Sequence, residues 1–515
     1  MAEAPAKPLP GADWRAAVWL TLGLTLVRLV ALFRTPLELY PDEAQYWLWA
    51  RTLEFGYYSK PPIIAWALWA TTALGGDAEP WVRLSAPLFQ AGAMLLVFAI
   101  ARRLYGGGTA LAAAGLYGLA PAIQLSSLVA ATDAPLLFFL GLTILLYVML
   151  QTAEGRDRLG LAAGLGLALG LAFLSKYAAI YGLIGVGLHL AISPEARRRW
   201  TPAPALLAVG LFAITLAPNV AWNATHGFAT LHHTAANAAW GGRQLFNLAE
   251  LAVFLGTQFG AFGPIPFAVL IGGGALLAWR RKLSSADLLL LCFTVPPLLI
   301  VAGQAFISRA NANWSGASYL PGAILAAAWL IRWRARRVLV AAFAIQVVVA
   351  ALFLACVISP PVADWLGMAN SFKRAKGWSQ ATRLVMNRAR GERGQGLSAI
   401  AVNNRFLFYA ISYYARGELK GLGAPPLTAW LLTATPQNQA EAASPLTPAL
   451  GARVLAVSLE GAWLPQMTAD FAQTSGREID SIYLDRRHRR RLEIFVGEGF
   501  APVPRDIRSG RPKPP

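Results

Sequence analysis

The chain has 515 residues, of which 56% are hydrophobic and 14% are charged, and its mean hydropathy is +0.48. Soluble domains typically carry about 25% charged residues, so the composition excludes an ordinary soluble protein. The net charge of +19 falls mostly in short loops between apolar runs. That distribution indicates membrane topology and argues against nucleic acid as a partner. The two cysteines, Cys292 and Cys356, both lie in apolar runs, which excludes a disulfide framework and a cysteine-based zinc site.

Apolar runs long enough to cross a bilayer recur along the chain and predict about eleven transmembrane helices. We place these helices at 14–33, 80–100, 109–128, 133–152, 159–175, 177–193, 203–223, 249–279, 287–306, 316–331 and 338–358. Arginine-rich loops alternate with loops in which cations are scattered, among them Arg51, Lys60, Lys176, Arg243 and Arg309. The positive-inside rule then places the N-terminus in the cytoplasm and everything after residue 358 outside.

The chain is predicted to divide into a transmembrane domain at 1–358, an external α/β domain at 359–500 and a disordered Pro- and Arg-rich tail at 501–515. The external domain shows short apolar runs at 399–402, 429–432 and 453–457, with helical patterns near 372–390 and 405–416. Its basic run at 486–491 is typical of a solvated face, and contact with anionic lipid is the alternative.

The first outer loop, residues 34–79, is the most informative stretch of the chain. Its segments 42–54 and 63–74 are amphipathic and are predicted to lie in the membrane interface, anchored by Trp47, Trp49, Trp66 and Trp69. Two adjacent acids, Asp42 and Glu43, open the first segment. Acids beside hydrocarbon are costly unless they have a function, so Asp42 is a candidate general base. The alternative is a helix N-cap.

A phosphate clamp is the second predicted feature. Lys60 precedes two prolines that stiffen the backbone, and Arg309 lies in a polar break between two predicted spans. If the two converge they bind one phosphate, and Tyr319 adds a hydroxyl. The alternatives are a snorkelling lysine and an interfacial anchor. Tyr57, Tyr58 and Asn313 are further candidates for substrate contact.

Two other groups of polar residues remain ambiguous from sequence. Asp133 opens the fourth predicted span after Thr132, and it is either a helix cap or a functional acid. Three histidines, His226, His232 and His233, share a predicted outer loop, but no spacing rule singles out a metal site there.

At these residues the chain resembles bacterial GT-C glycosyltransferases, in the branch of protein O-mannosyltransferases, lipid A aminoarabinose transferases and lipopolysaccharide-core galacturonosyltransferases. The resemblance runs in order through about residues 28–330. It is carried by Pro-Asp-Glu-Ala-x-Tyr-Trp-x-Trp-Ala at 41–50, Gly-Tyr-Tyr-x-x-Pro-Pro at 56–62, Thr-Asp-Ala-Pro at 132–135, Leu-Ser-Lys-Tyr at 174–177, Trp-Asn-Ala-x-His at 222–226 and Ala-Asn-Trp at 312–314.

The resemblance implies a multi-pass enzyme of the bacterial inner membrane that takes its sugar from a polyprenyl-phosphate donor, with the active site on the periplasmic side. It implies that Asp42 is the catalytic acid of the first outer loop. It also implies that Lys60 and Arg309 are the cations of the active site. The aminoarabinose branch tends to have a glutamate where this chain has Ser59. The resemblance therefore does not imply a metal ion at that position.

The predicted reaction is inverting transfer of a sugar to lipid A, lipopolysaccharide core or another envelope glycan. Asp42 acts as base, Glu43 and Asp133 are further candidate catalytic acids, and the cations stabilise the leaving phosphate. This chemistry requires no cofactor, although a divalent metal remains an alternative. A transporter or flippase for lipid-linked sugars is the rival function, but the chain lacks the paired halves that many transporters show. A receptor-like subunit would leave Asp42 and Lys60 without a purpose.

Overall fold

The structure is a computed structural model that describes residues 14–237 and 246–512. Residues 1–13 of the predicted membrane domain, the predicted outer-loop cation Arg243 and residues 513–515 of the predicted tail lie outside the described residues. The chain forms two compact units, one of residues 1–34 and 54–355 and one of residues 35–53 and 356–515. This differs from the predicted division at 358, because part of the first outer loop belongs to the second unit.

The membrane unit consists of helices. Within residues 14–237 and 246–512, eight helices are long and apolar enough to span a membrane: Trp14–Arg34, Glu79–Tyr105, Asp133–Leu150, Gly155–Ser175, Pro202–Thr225, Ser285–Ile307, Ala312–Arg332 and Arg336–Ile358. Large apolar side chains project outward from them, such as Leu206 at 72% exposed and Ile214 at 69%. Such outward faces require lipid, which confirms the predicted polytopic membrane protein. The count of eleven spans stays a prediction.

Shorter helices complete the membrane unit, and two of the predicted spans are broken. The shorter helices are Ile63–Gly75, Gly107–Leu119, Pro121–Ser126, Ile180–Ile192, Pro194–Arg199, Ala229–Asn237, Leu248–Phe262 and Pro264–Trp279. The span predicted at 109–128 breaks before Pro121, and the one predicted at 249–279 breaks at Gly263, whose φ is +104°. Each break precedes a proline, which lacks the N–H that would continue the helix.

Two helices that later carry the candidate site pack unusually closely. A Cβ added to Gly166 of helix Gly155–Ser175 would lie 2.1 Å from the carbonyl oxygen of Ala208 in helix Pro202–Thr225. At Gly170 an added Cβ would lie 2.6 Å from Cβ of Thr215. Glycines on one helix therefore let the backbones approach, as is usual for helices that pack within a membrane.

A buried acid ties three helices together in the same unit. Asp287, which is fully buried, receives two hydrogen bonds from the Arg332 guanidinium, at 2.7 and 3.0 Å. Its Oδ1 also accepts from the Tyr105 hydroxyl at 2.9 Å and from Trp329 Nε1 at 3.0 Å, and its Oδ2 accepts from the Ser284 backbone N–H at 2.9 Å. Both carboxylate oxygens are thus fully used, which suits a charge held away from water.

The second unit is built on a five-stranded sheet with the order β2-β1-β3-β5-β4. Strands β1 (Ala399–Val402), β2 (Leu427–Ala429) and β3 (Arg453–Leu459) are parallel, and β4 (Phe471–Tyr483) and β5 (Arg489–Phe500) form an antiparallel hairpin. Helices Pro360–Trp365, Ala369–Phe372, Trp378–Glu392, Arg405–Tyr414, Arg416–Leu419, Gln439–Ala443 and Leu464–Ala469 connect and cover it. The predicted small α/β domain is confirmed, whereas the pattern did not single out the hairpin.

Residues 35–53 belong to this second unit. They contain the helix Pro41–Trp49, which coincides with the first amphipathic segment of the predicted outer loop. The Glu38 carboxylate accepts from the backbone N–H groups of Trp378 and Ser379, and the Leu39 N–H donates to the Tyr414 hydroxyl at 2.9 Å. These bonds attach the segment to the C-terminal part of the chain, a long-range pairing that no local pattern reveals.

Within the described residues, the predicted disordered tail makes defined contacts with the second unit. Arg505 is 4% exposed and its guanidinium holds the fully buried Asp470 at 2.6 and 3.1 Å. The basic run at 486–491 is also only partly a solvated face: Arg490 is 8% exposed and lies 3.5 Å from the ring centroid of Trp378, and Arg491 pairs with Glu493 at 2.5 Å. Pairing with distant partners thus overrides what a Pro- and Arg-rich composition suggests.

We expect Asp287→Ala to destabilise the membrane unit by about 2–4 kcal/mol, because it leaves Arg332, Tyr105 and Trp329 without their shared acceptor. Thermal unfolding of the purified protein in detergent measures the change. Asp157→Ala is the matched control, since Asp157 is an exposed acid in the first turn of its own helix and its loss should cost about 0.5 kcal/mol or less. Equal melting temperatures for the two variants would contradict the assigned role of Asp287.

Candidate active site

An ion pair between the ends of two helices is the centre of the candidate site. Asp133 begins helix Asp133–Leu150, and Lys176 follows the end of helix Gly155–Ser175. Lys176 Nζ lies 2.7 Å from Asp133 Oδ1, and both side chains are 19% exposed. Asn313 Nδ2 donates to the other oxygen, Asp133 Oδ2, at 3.3 Å. Three of the sequence motifs therefore meet at one carboxylate.

The partners of the Asp133 carboxylate come from other segments of the chain. Thr132, at the N-cap position, makes no side-chain cap bond, and both Asp133 oxygens point to partners from other helices. The carboxylate still lies in the first turn, where the helix dipole favours negative charge. Asp133 is therefore a group that joins distant segments, rather than only a local cap.

The segment that carries Lys60 is fastened to helix Pro202–Thr225. Asn219 Nδ2 donates to the Phe55 carbonyl oxygen at 2.6 Å, and Trp222 Nε1 donates to Glu54 Oε2 at 2.5 Å. Gly56 lies against the Trp222 ring, where an added Cβ would approach to 2.4 Å. Glycine in the Gly-Tyr-Tyr motif is thus required for close approach to the tryptophan of the Trp-Asn-Ala-x-His motif.

Tyr177 joins this segment to the ion pair. Its hydroxyl donates to Asn219 Oδ1 at 3.0 Å, and the same hydroxyl accepts from Asn223 Nδ2 at 3.2 Å. Tyr177 is the chain neighbour of Lys176, so a continuous set of contacts runs from Phe55 through Asn219 and Tyr177 to Lys176 and Asp133. The positions of Lys60 and Asp133 are consequently fixed by one network.

A cavity of about 310 Å³ opens beside this network. Lys60 and Lys176 both line it, and the rest of its wall includes Pro61, Tyr177, Tyr181 and Trp314. Its volume falls at the lower end of the range of small-molecule sites, roughly 300–1,000 Å³. Two ammonium groups in a wall that is otherwise largely apolar suit an anionic head group attached to a hydrocarbon chain.

Lys176 is the residue that sequence reasoning missed. It was placed among the scattered cations of the predicted outer loops and in the Leu-Ser-Lys-Tyr motif, but it was given no role in the site. A signal was nevertheless present, because a lysine that directly follows an apolar helix in the Leu-Ser-Lys-Tyr motif carries a charge where burial is costly.

The structure does not bring Arg309 or Tyr319 into this cavity. Arg309 is exposed, and Gln304 Nε2 donates to its backbone carbonyl at 3.2 Å. Tyr319 is 1% exposed, its hydroxyl donates to Gln258 Oε1 at 2.6 Å, and its ring stacks on Phe262 with centroids 5.1 Å apart. The hydroxyl of Tyr319 is therefore occupied inside the helix bundle.

The two predicted tyrosines of the first outer loop have different surroundings. Tyr57 is buried, its carbonyl accepts from the Thr230 hydroxyl at 2.7 Å, and burial raises the pKa of its phenol to about 12. The phenol therefore stays protonated at neutral pH. The half-buried Tyr58 packs edge-on against His233, with ring centroids 6.1 Å apart.

The two adjacent acids of the first motif, which lie in the second unit, have separate roles. Glu43 is fully buried and its carboxylate accepts from the Tyr40 backbone N–H at 2.8 Å, so it caps the helix Pro41–Trp49. The Asp42 side chain is 57% exposed and lies 3.6 Å from Arg405 Nη1. Glu43 therefore makes the capping bond that the alternative reading gave to Asp42, and only Asp42 is accessible for proton transfer.

Metal ligands do not assemble in the part of the chain that the structure describes, where no group of three or more His, Cys, Asp or Glu side chains could hold an ion. Of the three histidines, His226 stacks on Trp222 with ring centroids 4.0 Å apart, and His233 packs near Tyr58. The side chain of His232 lies outside the described residues.

We expect Asp133→Asn and Lys176→Met each to lower activity by about tenfold or more, because each leaves a half-buried charge without its partner. The double variant should lose less than the product of the two, since both changes break the same pair. Turnover of the purified variants measures this coupling.

Lys282→Met is the control for the lysine change, because Lys282 is exposed and lies outside the cavity wall. Losses that multiply fully in the double variant would show that Asp133 and Lys176 act independently.

Two sequence comparisons both match glycosyltransferases. Residues 59–222 match the model of the dolichyl-phosphate-mannose-protein mannosyltransferase family. Over 318 residues, the chain is 36% identical to the lipid A galacturonosyltransferase RgtD of Rhizobium johnstonii. That match covers 62% of this chain and 66% of the relative.

Solved structures agree on the fold. The apo crystal structure of ArnT from Cupriavidus metallidurans has a TM-score of 0.62 and 17% identity, with 93% of this chain and 97% of that chain covered. The structure of the same enzyme bound to undecaprenyl phosphate has a TM-score of 0.61 and 18% identity at the same coverage. The chain is therefore similar in sequence to a lipid A galacturonosyltransferase, and it shares the fold of ArnT over 93% of its length.

Proposed function

We propose that the protein transfers a sugar from a polyprenyl-phosphate donor to lipid A or a related envelope glycan. The observation that carries the proposal is the cavity lined by both Lys60 and Lys176. A lipid phosphate is the ligand whose charge and apolar chain match such a wall. The undecaprenyl phosphate bound by ArnT and the lipid A acceptor in the name of RgtD support the same donor and acceptor classes.

In the proposed reaction, an acceptor hydroxyl attacks the anomeric carbon of the donor sugar. The bond from that carbon to the phosphate oxygen breaks, and the phosphate leaves with the electron pair as polyprenyl phosphate. The Asp42 carboxylate takes the proton of the hydroxyl. A single displacement of this kind inverts the anomeric configuration.

Lys60 and Lys176 have different tasks in the proposal. Lys60 balances the negative charge that grows on the leaving phosphate. Lys176, whose charge is balanced by Asp133, lines the same wall and offers a further N–H donor to the phosphate. Of the three further candidates, Asn313 fits this arrangement through its bond to Asp133, Tyr58 remains a proposed contact beside His233, and the buried Tyr57 is assigned none. We assign no contact to Arg309 or Tyr319.

The proposed location is the bacterial inner membrane. The arginine-rich loops of the sequence support a cytoplasmic N-terminus and an external C-terminal domain.

Transfer and transport are distinguished by one experiment. The purified protein, reconstituted with undecaprenyl-phosphate-linked galacturonic acid and lipid A, should yield lipid A heavier by one uronic acid residue, measured by mass spectrometry. A flippase would move the lipid-linked sugar between leaflets of a vesicle and leave lipid A unchanged. Unchanged lipid A with this donor, and with the corresponding aminoarabinose and mannose donors, would overturn the proposal.

Two substitutions should separate binding from chemistry. Lys60→Ala should weaken binding of undecaprenyl phosphate about tenfold to a hundredfold, because it removes a charge-assisted hydrogen bond. Asp42→Asn should leave that binding unchanged and lower turnover by about 10²–10⁴-fold. Native mass spectrometry measures the binding, and the transfer assay measures the turnover.

Asp77→Asn is the control, because Asp77 also lies in the first outer loop but does not line the cavity. Turnover of Asp42→Asn that equals turnover of this control would remove Asp42 from the role of base.

A further inference from the structure

The helix that carries Asp42 is packed against a helix of the C-terminal domain, within the second unit. Trp47 of helix Pro41–Trp49 meets Tyr413 of helix Arg405–Tyr414 edge-to-face, with ring centroids 5.0 Å apart at 86°. Trp47 and Tyr413 are both nearly fully buried. The C-terminal domain therefore sets the position of the segment that contains the proposed base.

Arg405 is the residue of that domain which faces Asp42. It begins its helix directly after Asn404, whose side chain caps the helix by accepting from the Phe406 N–H at 2.8 Å. Its Nη1 donates to Oε1 of the buried Gln45 at 3.0 Å, and its guanidinium lies 4.6 Å from the centroid of the Phe406 ring. Helix start, hydrogen bond and aromatic contact together fix the direction of the guanidinium.

The geometry between Arg405 and Asp42 is that of an ion pair without a hydrogen bond. Nη1 and Oδ1 are 3.6 Å apart, and the two side chains are 32% and 57% exposed. Among the described residues, Arg405 is the only cation within 4.0 Å of the Asp42 carboxylate. The Asp42 oxygens are thus oriented by a fixed positive charge and still available to accept a proton.

We infer that Arg405 is a positioning residue for Asp42, through which the C-terminal domain takes part in catalysis. The inference rests on the proposed function, since it assumes that Asp42 is the base. In the proton-transfer step the acceptor hydroxyl gives its proton to an Asp42 oxygen, and Arg405 exchanges no proton. Its task is to hold the carboxylate in the orientation from which that transfer occurs. An exposed ion pair of this kind adds little stability, so its loss should affect rate more than folding.

The test uses the full-length enzyme with undecaprenyl-phosphate-linked galacturonic acid as donor and lipid A as acceptor. Arg405→Met should lower kcat about tenfold to a hundredfold, leave the KM for the donor within about twofold, and leave the melting temperature unchanged. Arg405→Lys should recover part of kcat because it restores the charge. Arg416→Met is the matched control, since Arg416 also lies over an aromatic ring, that of Tyr413, but has no contact with Asp42.

A double variant separates positioning from a purely structural role. If Arg405 acts through Asp42, adding Arg405→Met to Asp42→Asn should lower kcat by less than about twofold further. A full additional loss, or a kcat for Arg405→Met equal to that of the Arg416→Met control, would overturn the inference. Arg405→Gln removes the charge but keeps a hydrogen-bond donor for Gln45. If Arg405→Met is unstable, the kcat of Arg405→Gln is compared with the same control instead.

The proposed function and the inference about Arg405 are overturned by different results. Wild-type turnover of Asp42→Asn would overturn the base assignment and the inference that depends on it. Impaired Asp42→Asn together with unimpaired Arg405→Met and Arg405→Gln would overturn the inference alone and leave the proposed function standing.

Discussion

The ion pair between Lys176 and Asp133 is the interaction on which the candidate site depends. Each charge lies at the end of a membrane helix with four-fifths of its side chain shielded from solvent, so neither is stable there without the other. Because Asn313 bonds the same carboxylate and Tyr177 follows the same lysine, this pair connects the helix ends to the segment that carries Lys60. Close packing at Gly166 and Gly170 brings the two helices near enough for Asn219 to reach both Phe55 and Tyr177.

The contacts of the acidic residues in this protein depend on how deeply each one is buried. Glu43 and Asp287 are completely buried, and every described bond that they make serves a helix terminus or a junction between helices. Asp42 is exposed and lies 3.6 Å from the Arg405 guanidinium, which is why we propose Asp42, and not Glu43, for proton transfer. Two adjacent carboxylates in one motif therefore differ in exposure because the helix turns one inward and the other outward.

Several predictions about the site changed once the tertiary contacts were known. Arg309 was paired with Lys60 because both lie in predicted outer loops beside polar breaks, yet the cavity wall contains Lys176 instead. Tyr319 was predicted to add a hydroxyl to the phosphate clamp, whereas its hydroxyl donates to Gln258. Position along the chain predicted a side of the membrane for each residue, but not the direction that its side chain takes. That direction is set by neighbours that are distant in sequence.

The sequence by itself determined the membrane class, the helical bundle, the small α/β domain and the motifs that carry the chemistry. These follow from hydropathy, loop charge and residue order, which are local properties of the chain. Only the tertiary structure decided that residues 35–53 join the C-terminal unit, that Lys176 pairs with Asp133, and that Arg405 faces Asp42. Lys176 and Asp133 are 43 positions apart, and the other two pairings join residues more than three hundred positions apart. Such pairings arise from how helices pack rather than from any pattern within them.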